Sequence, residues 1–140
     1  MDETLLYLSR EDVRALAITP GAAREAVLQG FRDHAAGLNR SLPKTALALG
    51  PGHGFQAMTA ASSAQGIATV KWVAMAPVDA GSPLPAVSAL ICVSDYETGL
   101  PLAVLDGDEI TLIRTAAISA AAASLLAPAS PRTIGFVGCG

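Results

Sequence analysis

Residues 99–140 constrain this chain more than any other stretch. GLPLAVLDGDEITLIRTAAISAAAASLLAPASPRTIGFVGCG predicts a strand, a tight acidic turn, one long alanine-rich helix, a proline-broken link and a second strand ending in glycines. Asp106-Gly107-Asp108 closes the first strand, and Asp108 or Thr111 is expected to cap the helix. Pro128 and Pro131 end it, and RTIGFVG then predicts a fresh buried strand. Residues 110–127 are apolar enough to be weighed as a membrane span. Arg114, Thr111, Thr115, Ser119 and Ser124, with so much alanine, instead predict a buried helix of a soluble domain.

Upstream, Thr4–Leu8 predicts a short strand, and Ser9-x-x-Asp12 a capping box opening a brief helix through Leu16. Thr19-Pro20 marks an N-cap and first helical proline, opening a helix to about Ala36. Helical spacing turns Ala23, Val27, Gly30, Phe31 and His34 inward and leaves Arg24, Glu25, Gln29 and Arg32 outside. From Leu42 the period becomes two. LPKTALALG, FQAMTAASS and GIATVKWVAMAP, separated by glycine-bearing turns, predict a meander. AVSALICV is apolar on both faces and predicts a central strand. The expected fold is α/β: two small helices, five or six strands, a long helix, and the first strand of another domain. The boundary falls in the PASP link, dividing 1–127 from 128–140.

At 51% hydrophobic and 15% charged residues, 140 residues suffice for a packed core. A net charge of −3 gives no reason to expect nucleic acid or an anionic membrane as partner. The acidic MDETLLYLSRED opening is unlike a secretory signal, so a cytoplasmic location is expected. Cys92 and Cys139 lack metal spacing and read as reduced thiols; no metal is expected. His53 and Asp79 read as turn residues, and His34 as a helix-surface or capping histidine.

Two cations stand out. In GIATVKWVAMAP, alternation places Ile67, Thr69, Lys71, Val73 and Met75 on one face, and neither face reads as solvated. An unpartnered amine there costs several kcal/mol or loses its proton. Lys71 therefore either reaches a cavity holding an anion or lies at a strand end where its stem snorkels. Arg114, in the first turns of a small-residue helix beside Thr115, either clamps a carboxylate or phosphate or pairs with Asp106, Asp108 or Glu109. Gly138-Cys139-Gly140 sits where a strand hands over to a helix, the place at which a dinucleotide pyrophosphate is held. The third glycine, the following helix and the acid expected about 20 residues on are not in the sequence.

With those residues in view, the chain resembles the ornithine cyclodeaminase/mu-crystallin family. The likeness rests on GLPLAVLDGDEITLIRTAAISAAAASLLA followed by RTIGFVGCG, on GIATVKWV, and on LPKTALAL and FQAM, in the same order over nearly the whole chain. It implies a substrate-binding and dimerisation domain built on a mixed sheet, with a Rossmann domain inserted near its C-terminal end, and homodimers paired through their sheets. It implies NAD or NADP as cofactor and a small amino or imino acid as substrate. Lys71 matches the lysine facing the substrate carboxylate or imine, a catalytic as well as a binding position. Arg114 and Thr115 match the pair beside the cofactor phosphates, with Arg114 also holding substrate. Gly138 and Gly140 match the first two glycines of the dinucleotide loop. Lys44 replaces the usual carboxylate-binding arginine, keeping the charge and losing the fork. Gln56 replaces a glutamate used in ornithine cyclodeamination, which counts against that reaction. Thr59 replaces a proline.

The implied activity is NAD(P)-dependent oxidoreduction or deamination of an amino or cyclic imino acid in the full-length protein. The rival is a non-catalytic NADPH and small-molecule binder of the mu-crystallin type. The 140-residue chain alone is expected to lack turnover and to bind a dinucleotide poorly.

Overall fold

The computed structural model describes residues 4–138. Seven strands form one mixed sheet: β1 (Leu6–Leu8), β2 (Asn39–Ser41), β3 (Thr45–Ala48), β4 (Gly54–Ser62), β5 (Ile67–Met75), β6 (Val87–Asp95) and β7 (Pro101–Asp106). Three helices accompany them: α1 (Arg10–Ala15), α2 (Pro20–Ala35) and α3 (Asp108–Leu126). The strand order is β1-β7-β6-β5-β4-β2, and β3 also pairs with β4. Only the β1–β7 pair is parallel; the others are antiparallel, with short turns joining β3 to β4, β4 to β5 and β6 to β7, and a longer link over residues 76–86 between β5 and β6. In the β6–β7 turn the Asp95 carboxylate accepts from both the backbone N–H and the hydroxyl of Thr98, each at 2.7 Å, and these bonds lower its pKa.

The starts of α1 and α2 are those the capping signals predict. Ser9 caps α1 with a complete capping box to Asp12, and the Thr19 hydroxyl accepts from the Ala22 N–H at 3.2 Å ahead of Pro20. AVSALICV becomes the interior strand β6.

Several expectations are corrected. The residue before α3 is Gly107, which makes no side-chain cap, and Asp108 is already helical. Asp108 is occupied elsewhere: its Oδ1 accepts from the Ala89 N–H at 2.6 Å. Residue 107 must be glycine for a steric reason, since a Cβ there would stand 2.9 Å from the Ala89 Cβ and 3.0 Å from its carbonyl carbon. α3 is not a buried helix. Ala117 and Ala121 are buried against the rest of the fold, whereas Leu112, Leu125 and Leu126 are exposed. By length and composition α3 is apolar enough to cross a membrane, yet one alanine stripe lies within this fold.

On α2, Phe31 and His34 are exposed, not inward. The helix turns Ala23 and Asp33 inward instead, with the Gln29 amide donating to Asp33 Oδ1 at 2.7 Å. RTIGFVG is not a strand: residues 132–136 have no regular structure, and Ile134, Phe136 and Val137 are exposed. A buried strand needs ladder partners, and none of the seven described strands pairs with this segment.

The helices lie on one face of the sheet, where Val73 is buried and α2 runs along α3. Cross-strand register puts Gln56 opposite Val73, and Met58 and Ile91 on either side of Lys71 on that covered face. The opposite face carries Leu47, Phe55, Val70, Trp72, Leu90 and Val104, with no element over it among the described residues. Phe55 and Trp72 stack there with ring centroids 5.7 Å apart.

Candidate functional site

Lys71 sits in the middle of β5, not at a strand end, and its side chain rises from the covered face to α3. Its Nζ donates to the Thr111 hydroxyl at 3.3 Å. Burial first, and repulsion from the Arg114 guanidinium second, hold the Lys71 amine below its ordinary pKa. The two cations singled out in the sequence are thus brought together, across 43 positions of chain. Thr111 lies between them: Asp108, Thr111 and Arg114 follow at three-residue intervals, so each is a surface neighbour of the next.

Among the described residues neither cation has an acidic partner. The ion pairs are Arg10 with Asp106 (3.5 Å), Arg10 with Asp108, Arg14 with Glu109 (2.5 Å) and Arg24 with Glu25 (2.7 Å). All three acids available to Arg114 as local partners are therefore taken by arginines of α1. That removes pairing with Asp106, Asp108 or Glu109 as the explanation of Arg114. Asp108 and then Asp106 raise the Arg10 pKa, as expected for a guanidinium between two carboxylates.

The other predicted residues divide. Lys44 is exposed and lies just ahead of β3; continuing the Thr45–Ala57 register by one residue sets it opposite Met58, in the same cross-sheet row as Lys71. Gln56 is half-buried and diagonal to Lys71 on the covered face. Thr115 is exposed and donates its hydroxyl proton to the Thr111 carbonyl at 2.6 Å. Gly138 has φ +81, in the left-handed region, with nothing within 4 Å of where a Cβ would stand. Gly140 and Cys139 lie outside the described residues. His34 is a helix-surface histidine, its Nδ1 3.2 Å from the Asn39 carbonyl of β2. His53 is exposed in the β3–β4 turn. No group of metal-ligating side chains occurs among the described residues.

Beside Arg114, Ile18, Ala26, Val27, Ile110 and Ile113 line an apolar groove of about 390 Å³ between α2 and α3. An anion held by the guanidinium would have an apolar wall next to it. Sequence reasoning missed Arg10, Arg14 and Thr111. The signal was present in the i, i+4 spacing of the two arginines on α1 and in the acidic cluster at 106–109.

Comparison with known proteins extends these observations. Alanine dehydrogenase of Archaeoglobus fulgidus is 39% identical over 138 residues, covering 99% of this chain and 41% of that protein. An archaeal alanine dehydrogenase dimer with bound NAD superposes with a TM-score of 0.88 at 38% identity, over 97% of this chain and 41% of that one. Delta(1)-pyrroline-2-carboxylate reductase of Thermococcus litoralis, in complex with NADH and L-proline, gives a TM-score of 0.82 at 30% identity, over 89% of this chain and 38% of that one. The chain thus spans about two fifths of the length of the relatives it matches. Residues 3–140 match the Ornithine cyclodeaminase/mu-crystallin family, and with the likeness extending through fold and sequence alike, the chain belongs to that family.

Proposed function

We propose that the full-length protein is an NAD(P)-dependent oxidoreductase acting on an amino acid or cyclic imino acid, with Lys71 and Arg114 receiving the substrate carboxylate. The observation that carries this reading is the meeting of half-buried Lys71, rising from the covered face, with the exposed Arg114 of α3, while Asp106, Asp108 and Glu109 are engaged by α1. Each would gain from an anion: Lys71 would recover the charge that burial disfavours, and Arg114 would gain a bidentate partner. Lys44, in the same cross-sheet row, adds positive potential at the mouth.

A nicotinamide dinucleotide, when bound, supplies or accepts the hydride. An unpaired Arg114 and an open left-handed Gly138 suit its phosphates, with Gly140 and Thr115 as further contacts, Thr115 once its hydroxyl turns from the Thr111 carbonyl to donate to a phosphate oxygen. As the carbon bearing nitrogen loses hydride, the nitrogen must lose a proton. In the reverse, reductive direction the nitrogen regains that proton, and a Lys71 ammonium charged by the bound carboxylate can donate it from Nζ.

The bare apolar face opposite the helices fits a second copy of the chain, and the solved archaeal relative is a dimer. A second functional reading, a non-catalytic binder of NADPH and a small molecule, is favoured by Gln56, an amide that cannot serve as a base beside Lys71.

The test is reduced-nicotinamide absorbance with the full-length protein and a panel of alanine, proline, ornithine and cyclic imines. Steady turnover that falls about 10²–10⁴-fold in Lys71→Met supports the enzyme. Tight NADPH binding with no turnover supports the binder. Undiminished turnover in Lys71→Met removes the assignment.

A further inference from the structure

The acids around the start of α3 pose a problem that α1 solves. The side chains of Asp106, Asp108 and Glu109 are only 24%, 19% and 18% exposed. Carboxylates this withdrawn from water need cationic or hydrogen-bonded partners. Asp108 takes the Ala89 N–H on one oxygen and Arg10 on the other, while Asp106 Oδ1 accepts from the Asp108 N–H at 3.0 Å and its Oδ2 faces Arg10. Glu109 takes both Nε (2.6 Å) and a terminal nitrogen (2.5 Å) of Arg14. The nearest unpaired cations on α3 and β5 are Arg114 and Lys71, and Asp108 neighbours Thr111, the hydroxyl that already holds Lys71.

We propose that Arg10 and Arg14 are positioning residues: a clasp from α1 that occupies Asp106, Asp108 and Glu109 and so keeps Lys71 and Arg114 open to an anion from outside. The clasp touches neither substrate nor cofactor. It sets the charge that the ligand meets, by withholding the protein's own carboxylates from the site. This inference rests on the proposed site, and its test separates the two.

The experiment uses the full-length protein, with pyruvate binding measured calorimetrically in the absence of reduced nicotinamide. The Lys71 amine is titrated in parallel by NMR of the reductively ¹³C-methylated protein, with Lys71→Met assigning the signal. Folding is checked by circular dichroism. Arg10→Ala is expected to raise the pyruvate Kd about tenfold or more, because a released carboxylate competes with the ligand. In the same variant the Lys71 amine titrates at higher pH, because a negative charge has reached it.

The deciding variant is Arg10→Ala combined with Asp108→Asn. It leaves the clasp broken but releases no charge at 108, and asparagine keeps an oxygen for the Ala89 N–H. Recovery of most of the lost affinity supports the clasp; affinity as weak as in Arg10→Ala overturns it, since loss of structure alone would give that result. Should Arg10→Ala not fold, Arg14→Ala with Glu109→Gln carries the same comparison at a pair whose arginine is 60% exposed. If Arg114→Ala and Lys71→Met weaken pyruvate binding while the clasp variants do not, the clasp alone is wrong. If none of them alters it, the proposed site fails and the clasp with it.

Discussion

Lys71 shows how one residue can be legible in a sequence and still need coordinates for its meaning. Alternation along β5 marked it as a charge among aliphatic neighbours, leaving open a cavity or a strand end. The structure places it mid-strand beneath α3, with the Thr111 hydroxyl as its one hydrogen-bond partner among the described residues. Its lowered pKa carries a stability consequence. Between that value and the ordinary lysine value the unfolded chain binds more protons than the folded one, so stability rises with pH across the window. Below the window the charged amine is a standing cost. Lys71→Met is therefore expected to melt higher than the parent at pH 7, with the gap closing as pH approaches the ordinary lysine value; thermal melts from pH 7 upward check it. A bound carboxylate acts in the opposite sense and draws a proton onto Nζ. Calorimetry in buffers of different ionisation enthalpy is expected to show net proton uptake near the lowered pKa, abolished in Lys71→Met.

Among the elements, the β7–α3 turn does most to hold the site together. The Gly107 N–H donates to the Ala89 carbonyl at 2.8 Å, and the absence of a Cβ lets the turn press against β6. Gly107→Ala is expected to cost about 1–3 kcal/mol, because neither the Ala89 backbone nor its short side chain can yield. Thr111 and Arg114 ride on the helix that this turn launches, so the same variant should raise the substrate KM more than it lowers kcat. Urea unfolding and initial rates measure the two effects. α2 began where Thr19-Pro20 indicated, and β3 to β7 followed the alternation, because caps, turns and pleat are local chemistry. What failed was non-local. Helical spacing points Phe31 inward, whereas the orientation of α2 against α3 and β2 buries Asp33 and leaves Phe31 57% exposed. β2 is only three residues long and exists because β4 is there to pair with it. RTIGFVG has strand composition but no strand beside it among those described. The charge network across α1 and α3 joins residues more than 90 positions apart, a distance over which periodicity says nothing.

At the scale of the whole molecule, the sheet is dressed on one side only. Leu47, Trp72 and Leu90 remain 57%, 43% and 40% exposed on the other, in a contiguous apolar field of the kind that marks an association surface. Leu90→Glu sets a carboxylate near its centre, beside Trp72 in the cross-strand ladder. It is expected to turn a dimer into a monomer in sedimentation velocity runs while leaving the helix-covered face intact. A parent that sediments as a monomer would defeat the expectation. Trp72 is the chain's one tryptophan, and it stands in the middle of that field against Phe55. The protein therefore carries its own optical gauge of association: indole emission that shifts to shorter wavelength on concentration would report water leaving this surface, with no label added.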